Sequence, residues 1–357
     1  VTLERRVAPA RTPLLTLATL GVVFLAACVA PADPAPDAAI PLDAGSFTDA
    51  EAQSDAGDAT DSGFAGDSGF AGDSSPATDS GAAMDSATDA EAALAGSLLT
   101  GGHEVLFVGN SYTYVNDLPA RYRDFAATLP AAPVRIESVT AGGYTLSQHA
   151  RDAATDGTAL AGHLRTGTPD TTSWDVVVLQ EQSQTPGFPE GSPPRLASEE
   201  GASALARLAA AKGAAVLLYA TWGRARGDAM NPTLYPDFLT MEARLEEGYR
   251  ALADVAVSAG ARVRIAPVGA AFARVYAAVV ASGLDPLASG SDFLALYADD
   301  GSHPSARGTY LAACVILGAI SGVDPRTLPD ALGLDASVCA ALRDTAASTL
   351  ADPMWTP

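Results

Sequence analysis

Five short apolar runs recur along the chain beyond residue 100, at 104–108, 134–139, 175–179, 215–220 and 262–268, each rich in Val, Leu, Ile or Ala. Runs of this length, apolar on both faces and bounded by breakers, read as buried strands. Each precedes a longer segment whose apolar positions recur at helical spacing, at 118–127, 146–154, 197–211, 239–258 and 271–282. Two more helices are predicted at 304–320 and 336–349. Alternation of strand and helix predicts an α/β domain over residues 98–357: a three-layer α/β/α sandwich around a five-stranded parallel sheet of flavodoxin-like type. That length suffices for a single well-buried core.

Upstream, the pattern changes twice. Arg5, Arg6 and Arg11 precede an apolar stretch, 14–25, which is too short for a stable membrane span and suits the core of an export signal. It ends Leu25-Ala26-Ala27-Cys28, which resembles a bacterial lipobox, so residues 1–27 are expected to be a lipoprotein signal peptide and Cys28 the lipidated residue. Residues 28–97 are dominated by Ala, Asp, Ser, Gly and Pro and contain a six-residue repeat. This low-complexity composition predicts a disordered acidic linker.

Charge narrows the functional classes. The chain carries a net charge of -21, and 14 acidic residues with no Lys or Arg lie between Val29 and Gly96. The remainder is also acidic, which argues against nucleic-acid binding by phosphate neutralisation. Cys28, Cys314 and Cys339 form no metal-ligand spacing, so no structural metal is expected. No phosphate-cradling Gly-x-x-x-x-Gly-Lys or dinucleotide Gly-x-Gly-x-x-Gly follows the first strand, and no cofactor is expected.

Two stretches carry candidate chemistry. The first strand runs into Gly109-Asn110-Ser111, which places a hydroxyl at the carboxyl end of a strand, the edge where open parallel sheets bind ligands. Far downstream, Asp300-Gly301-Ser302-His303-Pro304 stands immediately before a helix, with Pro304 expected at its first position. A serine nucleophile needs a base, and the base needs an acceptor that fixes its tautomer. Ser111, His303 and Asp300 can supply these three roles. Gly66-Asp67-Ser68 and Gly72-Asp73-Ser74 also spell a hydrolase-like triplet, but each sits inside a repeat with no strand before it.

With these blocks in place the sequence resembles the SGNH hydrolase superfamily, the GDSL-like esterases and lipases. Gly109-Asn110-Ser111 looks like its nucleophile block, Ala141-Gly142-Gly143-Tyr144-Thr145 like its glycine block, and Asp300-x-x-His303 like its last block. The resemblance implies a serine esterase whose oxyanion hole is built from Ser111 N–H, Gly143 N–H and a side-chain amide. The family's third block, Gly-x-Asn-Asp, is replaced here by Gln180-Glu181-Gln182-Ser183, and Gln182 falls where the amide donor is expected. Thr221-Trp222-Gly223-Arg224 resembles an uncharacterised bacterial subgroup of the superfamily.

Asn110, Trp222 and Arg224 are candidates to line the substrate cleft, Trp222 as an apolar or sugar-stacking face and Arg224 as an anion clamp. His149 reads as a structural or surface histidine. With Cys28 lipidated, Cys314 and Cys339 are the remaining pair for a disulfide in an exported protein. The expected activity is hydrolysis of carboxylic esters, including O-acyl groups on carbohydrate, by an extracytoplasmic, membrane-anchored enzyme. A binding module that keeps the fold without the chemistry and an acyltransferase are the alternatives.

Overall fold

The computed structural model describes residues 104–130, 135–165 and 173–355. The expected signal peptide, Cys28 and the acidic linker lie outside the described residues. Five strands, β1 (Glu104–Gly109), β2 (Arg135–Thr140), β3 (Val176–Leu179), β4 (Ala215–Ala220) and β5 (Val263–Pro267), form one parallel sheet in the order β2-β1-β3-β4-β5. The order reverses between β1 and β3, and the crevice outside the carboxyl ends of these two strands is where such sheets place ligands.

Alternation along the central strands divides the core in two. Val105, Phe107, Val176, Val178, Leu217 and Tyr219 face α2 (Leu118–Ala126), α7 (Val268–Ala281), α8 (Ala306–Ser321) and α9 (Ala336–Leu350). Leu106, Val108, Val177, Leu179, Val216 and Leu218 face α3 (Leu146–Ala154), α4 (Ala159–Leu164), α5 (Pro193–Ala211) and α6 (Phe238–Ser258). Because side chains of a strand point alternately to its two faces, both faces of these strands must be apolar, and the runs look continuous in sequence. The three-layer α/β/α architecture follows. Helix α8 is buried at every position from Gly308 to Ile320, since α9 covers the side turned away from the sheet. The edge strand β2 instead carries Arg135, which pairs with Glu104 at 3.1 Å and lies 3.7 Å over the ring of Trp174.

Strand positions agree with the apolar runs to within a residue or two. A short helix, α1 (Ser111–Tyr114), and α4 are additional elements, too short for helical periodicity to register. Pro304 is not the first residue of α8: it forms an antiparallel bridge with Tyr297, and Ser305 caps the helix, its hydroxyl accepting from Arg307 N–H and Gly308 N–H. Cys314 and Cys339, expected as a disulfide, are both free, fully buried thiols. They are packed as small apolar groups in the layer shared by α8 and α9, and burial lifts the Cys314 thiol to about 12.

One buried acid makes the fold sensitive to pH. Glu242 on α6 accepts a hydrogen bond from Gly223 N–H at 2.8 Å, and burial, only partly opposed by that bond, lifts its carboxyl from an ordinary 4.5 to about 8. Between those two values the folded chain holds a proton that the unfolded chain has released. Its contribution to stability is therefore fully present below about pH 4.5 and is lost as pH rises through about 8. Melting temperatures between pH 5 and 9 should fall less steeply for Glu242→Gln than for the wild type. Parallel profiles for the two proteins would contradict this.

Candidate active site

Strand β1 ends on Gly109 because nothing larger fits. A Cβ there would lie 2.5 Å from both Gln180 Oε1 and Thr113 Oγ. The next residue, Asn110, caps α1: its Oδ1 accepts from Tyr112 N–H at 3.1 Å and its Nδ2 donates to Tyr144 O at 2.8 Å. Its own N–H donates to Gln180 Oε1 at 2.8 Å. Asn110 is 2 % exposed, so it is not a cleft-lining residue as expected; its side chain is consumed in fixing the turn that carries Ser111. Ser111 itself stays partly exposed at the first position of α1, where a backbone N–H has no partner within the helix.

The base arrives from the loop before α8. His303 Nε2 lies 2.8 Å from Ser111 Oγ, and His303 Nδ1 lies 2.5 Å from Asp300 Oδ2. Nδ1 facing a carboxylate carries the proton, which leaves the Nε2 lone pair to accept from the serine hydroxyl. The other oxygen of Asp300 accepts from Ser302 N–H and His303 N–H, both at 2.9 Å, so the carboxylate cannot swing away. Partial burial pushes the Asp300 carboxyl up, but the bonds from His303 and the two backbone amides outweigh it and hold Asp300 below its ordinary value. The loop is closed by Ala298 N–H on His303 O at 2.8 Å, and its turn uses Gly301 at φ +65°.

Nucleophile and base segments are also tied together directly. The Tyr112 hydroxyl shares a 2.7 Å hydrogen bond with Ser302 Oγ, and Asn116, in the left-handed region at φ 56°, donates to Pro304 O at 3.0 Å and Thr309 Oγ at 2.9 Å. Asn tolerates that conformation better than most residues. Trp222, expected in the cleft, lies instead beneath the loop with no exposed surface. Its indole stacks on Phe272 at 4.3 Å and Tyr112 at 4.8 Å, and Nε1 donates to Ser302 O at 3.0 Å. Arg224 is half-buried. Its Nη1 pairs with Asp228 at 2.6 Å, and it lines a cavity of about 420 Å³ with Arg226, Tyr297, Asp300 and Ser302.

Gly143 stands on the turn after β2 at φ +69°, exposed, and its N–H has no partner among the described residues. Gln182 follows β3. Its Nε2 donates to Gln184 Oε1 at 3.2 Å, while its Oε1 accepts from Gln184 N–H at 2.9 Å and Thr185 Oγ at 3.1 Å. His149 is buried, and its Nε2–H donates to Gly109 O at 2.9 Å; burial lowers its proton affinity and keeps the ring neutral. Two residues that the sequence did not single out are the fully buried Gln180 and Glu181. The signal for them was a polar pair directly continuing an apolar strand. Among the described residues, no group of three or more His, Cys, Asp or Glu could hold a metal ion.

The doubly wound sheet, with its reversal at β1 and β3, thus brings a serine on the turn after β1 together with an Asp-x-x-His segment ahead of a late helix. No protein-family model and no curated protein matches the chain. Among solved structures, the chain is similar to a DUF4886 family protein from Bacteroides uniformis, with TM-score 0.54 and 16% identity over 71% of this chain and 96% of that one, a likeness of fold alone. It also matches a candidate SGNH hydrolase from Slackia heliotrinireducens (26% identity, TM-score 0.45, 61% of this chain and 99% of that one) and an acetylxylan esterase from Geobacillus stearothermophilus (16%, 0.40, 62% and 95%).

Proposed function

We propose that the chain is an exported, lipid-anchored serine esterase that hydrolyses carboxylic esters, in particular small acyl groups carried on carbohydrate. The observation that carries the reading is the continuous hydrogen-bonded path from Ser111 Oγ through the imidazole of His303 to Asp300 at the carboxyl edge of the sheet. His303 Nε2 takes the hydroxyl proton as Ser111 Oγ attacks the acyl carbonyl, and Asp300 stabilises the imidazolium. The negative charge on the carbonyl oxygen is met by Ser111 N–H, Gly143 N–H and the second N–H of the Gln182 amide. Collapse breaks the bond to the alcohol, which leaves with the proton from Nε2. Water then attacks the acyl-serine, gives its proton to His303, and the acid departs as Ser111 is restored.

The site is open, with His303 and Asp300 side chains 35% and 49% exposed, which suits an acyl group presented on a bulky alcohol. The lipobox-like Leu25-Ala26-Ala27-Cys28 supports tethering outside the cytoplasm. A panel of acetylated sugars and longer-chain esters, run beside a fluorophosphonate probe of the serine, tests the activity. Absence of both turnover and labelling in folded protein would leave a binding module. Gln182→Ala should lower kcat by about 10²-fold with KM little changed, because the bond strengthens in the transition state; an unchanged kcat removes Gln182 from the oxyanion hole. Cys28→Ser should move the protein from the membrane fraction to the soluble one, and a variant that stays in the membrane would refute the anchor.

A further inference from the structure

Glu181 has no exposed surface, and its carboxylate is held from α3, from the segment after β3 and from α5. Its Oε1 accepts from Leu146 N–H at 3.0 Å and from Gln182 N–H at 2.6 Å, and its Oε2 accepts from Ser198 Oγ on α5 at 2.5 Å. Leu146 opens α3 three residues after Gly143, and Gln182 is the side-chain donor of the proposed mechanism. One oxygen therefore holds the turn after β2 and the segment after β3 within two hydrogen-bond lengths of each other. Next to it Gln180 does the same for the nucleophile, its Oε1 accepting from Asn110 N–H at 2.8 Å and Thr113 Oγ at 2.9 Å.

Burial of a carboxyl is unfavourable, and an apolar residue of similar size is often as good or better for stability. Burial lifts Glu181 to about 7 although Ser198, Gln182 and Leu146 all pull it down. What a leucine at this position could not do is bind two backbone N–H groups from different loops. The backbone of α3 is pressed against α5 beside this anchor: a Cβ on Gly201 would lie 2.5 Å from Ser147 N. Ser198, one turn earlier on α5, thus fixes the carboxyl from a helix already in contact with α3.

We propose that Glu181 is a positioning residue that sets the Gly143 and Gln182 oxyanion donors at a fixed separation relative to Ser111. The inference rests on the esterase reading. Misplacing a catalytic group by about 1 Å costs on the order of 10²-fold in rate. Glu181→Leu in the full chain is accordingly expected to lower kcat for a small acetate ester by about 10²-fold with KM within ~2-fold. Glu181→Gln should recover most of the loss, since its amide oxygen can accept the same two N–H groups while its NH₂ donates to Ser198. A folded Glu181→Leu with wild-type kcat, or a Gln variant as slow as Leu, overturns the proposal. If Glu181→Leu does not fold, Ser198→Ala decides by the same kcat and KM split, with a drop of about 3- to 10-fold expected from partial loosening of the anchor and an unchanged kcat counting against it. Should the wild type turn over no ester, the esterase reading fails by itself. Amide exchange at Leu146 and Gln182 then tests the anchor alone: faster exchange in Ser198→Ala supports it, and unchanged exchange refutes it.

Discussion

Replacing Ser111 by Ala is expected to reduce ester hydrolysis by roughly 10³-fold or more while leaving the melting temperature near that of the wild type. The serine hydroxyl is partly exposed and its partner is the imidazole of His303, so its loss opens no cavity and orphans no deeply buried group. The chemical step, by contrast, relies on the one hydroxyl that hydrogen-bonds to Nε2 among the described residues. His303→Ala should behave alike, because the hydroxyl then has no proton acceptor. Asp300→Asn should cost less: an amide oxygen can still accept from Ser302 N–H and His303 N–H, so the loop keeps its shape while the imidazolium loses its compensating charge. Rates on a small acetate ester together with thermal melts check all three. A Ser111→Ala protein that keeps a tenth of the activity would point to a different nucleophile.

Gly248→Ala should cause the largest loss of stability among Gly→Ala substitutions at the described residues. Helix α6 runs directly across the turn Thr185–Gly187, and a Cβ at Gly248 would come 1.9 Å from Pro186 O and 2.4 Å from Pro186 C. Those atoms are backbone and cannot rotate aside, so either the helix or the turn must move. Overpacking of this kind costs about 3 kcal/mol, and at ~2 to 4 °C per kcal/mol for a domain of this size the melting temperature should drop by ~6 to 12 °C. The turn continues from Gln182–Gln184, so kcat should fall with it. A melting temperature within about 2 °C of wild type would show that α6 and the turn separate at little cost.

The strands could be read from the sequence because each central one is apolar on both faces, a pattern that survives without knowledge of the fold. The Gly109-Asn110-Ser111 and Asp300-x-x-His303 blocks were legible for a related reason, since breakers and a helix start mark where a chain turns. What could not be read was the direction in which a side chain leaves the end of a strand. Trp222 and Asn110 sit at strand ends, as cleft residues do, yet both turn inward: the 297–304 loop covers the indole, and the α1 turn consumes the amide. Glu181 escaped notice for the opposite reason. A charged residue in a polar stretch looks solvated until α5 and α3 are seen to close over it. The pairing of Cys314 and Cys339 rested on compartment and elimination, and neither consideration specifies how the two side chains pack.

The exposed edge of the His303 ring has a kinetic consequence. With that edge open among the described residues, the acyl-serine of the proposed mechanism should partition between water and any small alcohol according to concentration and nucleophilicity. Glycerol or methanol added to a running reaction should divert acyl groups into a new ester, with the ratio of transferred to hydrolysed product rising in proportion to the alcohol. A ratio that stayed at zero across a molar range of alcohol would mean that the bound leaving group or a closing segment shields the intermediate.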